Sequence, residues 1–245
     1  MLERLLPAAA SSHAVEIDGV LASVHLHMAI QAIAWGAFLL VCLVRFRRRA
    51  HPRADHAGLR PALPLMAIGL VVVGDALLLA TTALPAWIAR TTPPSSAIFE
   101  VRVIAEQFAW NVHYPGPDGR FGPTNPALIS PANPLGIDRS SDTGRDDIGL
   151  ANVLTVPLGR PIVVQLSSRD VVHSFTLNEM RVRQDATPGR AVRTWFTPTM
   201  TGQWEIACSQ LCGLGHYRMR GSFSVVTPEE WSAWEAREVA LARPR

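Results

Sequence analysis

Cysteine is scarce in this chain, with three residues among 245. Three thiols cannot all pair with one another, and only Cys208 and Cys212 stand close together. That excludes a small scaffold stapled by several disulfides. No Cys-x-x-Cys-His occurs, so covalently attached haem is not expected within the chain. The first 19 residues lack a basic stretch followed by an apolar core and a small-residue cleavage site. They read as a short tail, although the longer stretch to residue 44 has the character of a signal-anchor. Charge is sparse as well: Asp, Glu, Lys and Arg make up 18% of the residues, and the basic excess is three. The basic excess is not spread evenly along the chain, and no nucleic-acid partner is expected.

What the chain does have is apolar length. From Val20 to Val44 the only clear polar interruptions are Ser23, His25, His27 and Gln31. A helix of that length crosses a bilayer with some tilt, and the two histidines fall near its start, at interface depth. A second apolar run extends from Pro61 to about Ile88 with one charge inside it, Asp75. A carboxylate is costly in lipid and has to face protein or water. A contact within a membrane complex is the plainer reading of Asp75, and a place on a proton route the sharper one. Pro64 and Pro85 are expected near the ends of this span, where a missing N–H is tolerated. Between the runs, residues 45–60 carry Arg45, Arg47, Arg48, Arg49, Arg53 and Arg60 against Asp55. Short arginine-rich loops stay cytoplasmic. The expectation is a transmembrane hairpin over 20–89, helices about 20–44 and 61–88, in a bacterial inner membrane. Both termini then lie on the outer, periplasmic side.

Residues 90–97, "RTTPPSSA", read as a linker. Beyond it the pattern changes to short segments rich in β-branched and aromatic residues: 98–115, 151–157, 161–167, 190–196, 203–207 and 221–226. Turn signals at Pro115-Gly116, Pro157 to Gly159, Pro188-Gly189 and Thr201-Gly202 separate them. That spacing predicts an all-β sandwich or barrel over 98–227. Residues 119–150 are polar and turn-rich, and are expected to form an extended, solvated, mobile insertion. Its Asp138, Asp142, Asp146 and Asp147 are mixed with Arg139 and Arg145; the alternative is an acidic surface that steers a basic carrier. Residues 228–245 open with a helix start: Thr227 caps, Pro228 takes the first position and Glu230 completes a capping box. Trp231 and Trp234 are expected to pin this helix to the domain.

The stretch "CSQLCGLGHYRM", residues 208–219, gathers Cys208, Cys212, His216 and Met219. Gly213 and Gly215 let the backbone turn sharply between them. Thiolate and thioether are soft ligands, and imidazole suits copper. Structural zinc sites use Cys and His, so Met219 puts copper ahead of zinc. A mononuclear blue-copper site takes two His, one Cys and a weak Met; here there are two Cys and one local His. His173, in "RDVVHSF", follows an apolar strand and is the best candidate for the second imidazole. Taken singly, each of these residues has an ordinary packing explanation. Taken together, two thiolates bridging two coppers, with one terminal imidazole each and Met219 plus a carbonyl in weak outer positions, account for the whole set.

With "DVVHSF" (170–175), "DATPGR" (185–190) and "CSQLCGLGHYRM" in this order, the chain resembles subunit II of a haem–copper cytochrome c oxidase over nearly its whole length. The resemblance implies a two-helix hairpin followed by a cupredoxin-like, Greek-key domain and a short C-terminal helix. It implies a dinuclear copper centre of the CuA type. Cys208 and Cys212 bridge, His173 and Met219 complete one copper, and His216 and the main-chain carbonyl of Gln210 complete the other. It implies a non-catalytic role in an enzyme complex: electrons come from cytochrome c or a similar carrier and pass to haem in subunit I, where oxygen is reduced to water and protons are moved. Subunit I, subunit III and the lipid bilayer are the implied partners, with haem only in subunit I. Arg190, Arg193, Arg218 and Arg220 resemble positions facing the haem propionates.

Three departures from the family pattern stand out. Gln210 replaces a Glu whose side chain binds magnesium at the subunit I interface, so a magnesium site using Gln210 and Asp170 is in question. Phe108 stands where a Trp usually receives electrons, leaving Phe108 or the retained Trp110 as candidates. Arg60 stands where many relatives have a Glu near a proton route. The rivals are a copper electron-transfer or copper-binding membrane subunit of another respiratory complex, such as the copper domain of a nitrous oxide reductase, the copper-free quinol oxidase version, and a copper-delivery protein. The full set of soft ligands argues against the quinol version, and two spans argue against the reductase.

Overall fold

A computed structural model describes residues 6–47, 58, 62–94 and 98–242. It divides into two compact units, Glu16–Ala89 and a β-rich unit of Met1–Val15 with Arg90–Arg245.

The helical unit contains most of α1 (Ser12–Arg45), α2 (Ala62–Leu78), a π-helical turn over Leu79–Ala83 and most of α3 (Leu84–Thr91). Both helical stretches are long and apolar enough to cross a membrane. Helix α1 begins at Ser12, well before the apolar run, because apolar composition marks what lipid can cover and not where helical hydrogen bonding starts. Pro85 lies inside a continuous helix rather than at its end. Its ring offers no N–H to the preceding turn; the helix widens there, and the Leu84 N–H reaches Leu79 O. The Thr81 and Thr82 hydroxyls donate to the Leu77 and Leu78 carbonyls in the same stretch. His27 has a partner that the sequence did not reveal. It lies 2.7 Å from Asp75 on the facing helix. Of the basic loop, Arg48, Arg49, Arg53 and Arg60 lie outside the described residues.

The β-rich unit has two five-stranded sheets. One contains β1 (Phe99–Glu106), β2 (Ala109–Tyr114), β3 (Ile148–Ala151), β5 (Ile162–Ser168) and β8 (Val192–Phe196), in the order β3-β2-β1-β5-β8. The other contains β4 (Val153–Pro157), β6 (His173–Leu177), β7 (Val182–Ala186), β9 (Gly202–Cys208) and β10 (Arg220–Val226), in the order β4-β10-β9-β6-β7. β1 pairs parallel to β5, and β10 parallel to β4. Residues of β1 alternate between buried and half-buried, which directs Phe99, Val101, Val103 and Ala105 inward against Phe175, Phe223 and Ile206. β6 and β7 were not legible in the sequence. All five residues of β6 are buried, which removes the alternation, and β7 reads Val-Arg-Gln-Asp-Ala.

The insertion over 119–150 is solvated over 123–132 but packed further on. Leu135, Ile137 and Asp147 are buried. His113 Nε2 lies 2.5 Å from Asp147 Oδ2, which also accepts from the Gly122 N–H. The Asn133 side chain bonds both the N–H and the C=O of Ile137. Asp147 is therefore withdrawn from any docking surface. The N-terminal tail is not free either. Ala10, Ser11, His13 and Ala14 are buried, and the segment bonds Glu179, Thr197, Thr199 and Met180. At the opposite end of the chain, α4 (Pro228–Ala242) carries the expected capping box. The Thr227 N–H donates to Glu230, and the Glu230 N–H to the Thr227 hydroxyl. Trp231 and Trp234 stack near Phe99 and Tyr114.

Candidate metal centre

Strand pairing brings the site together. β6 and β9 run antiparallel with Phe175 opposite Cys208, and the Ser209 N–H donates to Ser174 O. His173, first residue of β6, thereby comes beside the turn that follows β9. That turn closes through tight backbone bonds from His216 to Gly213, Arg218 to Gly215 and Met219 to His216. It returns Met219 beneath the cysteines just before β10.

The donor atoms converge. Cys208 Sγ lies 3.8 Å from Cys212 Sγ and 3.2 Å from Gln210 O. Cys212 Sγ lies 3.6 Å from His216 Nδ1 and 3.7 Å from Met219 Sδ, and Met219 Sδ lies 3.2 Å from His173 Nδ1. The sulfurs are too far apart for a disulfide. They are close enough for one ion to touch both, since a metal–thiolate bond is about 2.3 Å. His173, Cys212 and Met219 are buried, so the inner half of the cluster is shielded from water. Without a metal, burial and the neighbouring Cys208 push the Cys212 thiol up to about 11.

Asp170 has a role toward His173 that the sequence did not reveal. Its Oδ1 lies 2.9 Å from His173 Nε2 and accepts from the Val171 N–H, while Oδ2 accepts from the Gln107 N–H. Burial pushes its pKa up, but the bonds from His173, Gln107 and Val171 outweigh it and hold the carboxyl below the usual range. The carboxylate accepts a hydrogen bond from the Nε2–H of His173 and so leaves Nδ1 as the bare nitrogen facing the sulfurs, the outer-shell arrangement of metal-bound histidines. Both oxygens accept hydrogen bonds within this domain.

Gln107 and Phe108 clamp the loop from the β1–β2 turn. Gln107 Nε2 donates to Cys212 O at 2.6 Å. A Cβ on Gly215 would lie 2.4 Å from the Phe108 ring, and one on Gly213, whose φ is +133°, would lie 2.6 Å from Gln107 Nε2. Only glycine lets the ring lie on the loop backbone. The two glycines and Phe108 stand out in the sequence, but no local pattern joins them. Trp110 is fully buried, its ring 6.1 Å from that of His173 and 5.5 Å from that of Phe175.

The arginines divide. Arg218 is exposed on the loop itself, and Arg190 is exposed on the turn whose Pro188 pairs with Ser168 beside Asp170. Arg220 pairs with Glu205 at 3.5 Å. Arg193 lies 3.9 Å from Glu100, near the end of β1 away from Gln107. Asp75 belongs to the helical unit and takes no part in this cluster.

Fold and donor set together define a class: a membrane-anchored cupredoxin-like domain with a thiolate, imidazole and thioether cluster at one end. The family profile described as "Cytochrome C oxidase subunit II, periplasmic domain" matches residues 100–226. The chain belongs to the cytochrome c oxidase subunit II family. The alternative cytochrome c oxidase subunit 2 of Bradyrhizobium diazoefficiens is 34% identical, over 84% of this chain and 74% of that one. Cytochrome c oxidase subunit 2 of Synechocystis is 27% identical over 95% and 75%. Among solved structures, the periplasmic domain of subunit II of cytochrome oxidase of Bradyrhizobium japonicum is 28% identical, with a TM-score of 0.46 over 61% of this chain and 99% of that one.

Proposed function

We propose that this chain is the electron-accepting subunit of a haem–copper terminal oxidase and holds two copper ions in a CuA-type centre. The observation that carries the reading is the convergence of His173, Cys208, Cys212, His216, Met219 and the Gln210 carbonyl. Copper, when bound, supplies one-electron redox chemistry. Cys208 and Cys212 provide the shared thiolates. His173 with Met219, and His216 with the Gln210 carbonyl, provide the outer ligands. The chain's own residues keep that set rigid. Asp170 fixes the His173 tautomer, Gln107 and Phe108 hold the loop backbone, and paired strands fix both ends of the loop. Rigid ligands lower the structural cost of a change in charge.

The donor is a separate cytochrome c or similar carrier, and the acceptor is haem in subunit I, where oxygen is reduced to water with proton translocation. Subunit III completes the assembly. Phe108, half-buried on the loop, suits electron acceptance better than Trp110, which no partner can reach. Exposed Arg190 and Arg218 face subunit I in this reading, and no magnesium is held through Asp170. The copper domain and both termini lie on the periplasmic side of a bacterial inner membrane. The contact of residues 10–14 with the β-domain supports a shared side for the N-terminus and that domain.

The test is copper loading of the purified full chain, followed by metal analysis and EPR. Two coppers per chain with a seven-line hyperfine pattern are expected. One copper per chain, or a preference for zinc, overturns the reading.

A further inference from the structure

The chain carries a second cluster of titratable side chains, and the copper site does not use it. His27 Nε2 lies 2.7 Å from Asp75 Oδ1 and 2.7 Å from Gln31 Nε2, and Gln31 Nε2 lies 3.4 Å from the same carboxylate oxygen. His27 and Gln31 are one turn apart on α1, and Asp75 faces them from α2. Backbone packing leaves room for the ring: a Cβ on Gly74 would lie 3.0 Å from His27 Cε1. Asp75 stands thirteen residues from each end of the 62–88 stretch, about 20 Å at 1.5 Å per residue. That is the middle of a bilayer-spanning helix.

The surrounding charge is simple. Between Val20 and Val44, and between Ala62 and Ile88, Asp75 is the only acid and there is no Lys or Arg. His25 and Cys42 are the other titratable side chains there; His25 Nδ1 lies against Leu21 O of its own helix. Among the described residues of these two apolar stretches, His27 is the basic side chain placed against Asp75. Two elements meet here and contribute His27, Gln31 and Asp75. An uncompensated carboxylate at this depth is strongly disfavoured. A 2.7 Å separation puts one proton on the line between Nε2 and Oδ1, whichever atom holds it. With that proton the pair is neutral overall; without it the pair carries one negative charge.

We propose that His27 and Asp75, steadied by Gln31, form a proton-binding site inside the membrane hairpin that gains and loses one proton as a unit. The proton comes from and returns to water or a hydrogen-bonding group reached past the exposed side of Asp75, whose side chain is 57% exposed against 26% for His27. No other bond is made or broken. Gln31 Nε2, which can only donate, lies 2.7 Å from His27 Nε2 and 3.4 Å from Asp75 Oδ1, so it serves whichever of the two atoms is without the proton. The inference rests on the membrane-spanning reading of the hairpin but not on the copper centre.

The test uses the full chain in lipid bilayers with 15N-labelled histidine. Ring-nitrogen resonances are followed by solid-state NMR from about pH 5 to pH 9, the range in which histidine normally titrates. His27 is assigned by its loss in His27→Gln. The expected result is a single one-proton step at His27 whose midpoint moves by about one pH unit or more in Asp75→Asn and returns toward the original in Asp75→Glu. A His27 signal constant across the range overturns the proposal in the unsubstituted chain, even if Asp75→Asn fails to insert. An unchanged midpoint in inserted Asp75→Asn overturns it as well. The EPR spectrum of the same samples reports the copper centre separately, so the two readings fail independently.

Discussion

Asp170 never meets the sulfurs, yet it decides which nitrogen of His173 faces them. Asp170→Asn keeps the side chain's shape and removes the charge that draws the Nε2 proton. Copper affinity is expected to fall about 10–100-fold, the usual cost of losing such an outer partner, measured by competition with a calibrated chelator. Gln210 is the opposite case. Only its carbonyl points at Cys208, so Gln210→Ala is expected to leave the visible copper bands in place, and bleaching of those bands would refute the backbone role. Cys212 gives a pH signature to the copper-free protein. Its thiol is raised from the usual 9.0 to about 11, so between those values the folded state holds a proton that the unfolded state has lost. Stability is therefore fully present below about pH 9 and declines as pH rises toward 11. Urea midpoints of the copper-free chain are expected to drop over that interval. The Cys212→Ser chain should show a smaller drop.

At the scale of elements, the copper loop depends on a turn from the other sheet. Phe108 covers Gly215 so closely that an added methyl collides with the ring. Gly215→Ala is expected to cost about 1–3 kcal/mol, the usual range for overpacking. Adding Phe108→Ala should recover much of that loss, and a double-mutant cycle measures the coupling. The sequence showed the two glycines and the aromatic residue, but not that they touch. Gln107 and Gly213 are more than a hundred positions apart, and no local pattern links them. The C-terminal helix behaves differently. Its capping box was readable because every participant lies within four consecutive residues, Thr227 to Glu230. The same locality explains why the helices, the turn signals and most strands were legible, while β6 was not. Full burial erases the alternation by which a strand is recognised.

For the molecule as a whole, the N-terminal segment joins the β-domain although the apolar helix separates them in sequence. Ala10 and Ser12 exchange backbone bonds with Glu179, Thr197 and Thr199, and the His13 ring packs 4.2 Å from that of Trp195. A soluble version starting at residue 98 loses all of this. Its melting temperature is expected to lie roughly 5–10 °C below that of the β-domain in the full chain, at about 2–4 °C per kcal/mol for a domain of this size. Calorimetry of both forms checks it.

Composition and short-range spacing were enough to determine two apolar spans, a β-rich domain, a helix start at Thr227 and a soft-ligand loop, because each is written in neighbouring residues. His173 could be nominated from sequence but not joined to that loop. Only the pairing of β6 with β9 did so, since a hydrogen-bonded register is a property of two strands and not of either one. The same reason governs Asp170, Gln107, the buried His113–Asp147 pair and the meeting of His27 with Asp75. Each is a polar contact whose partner is chosen by how the chain returns on itself.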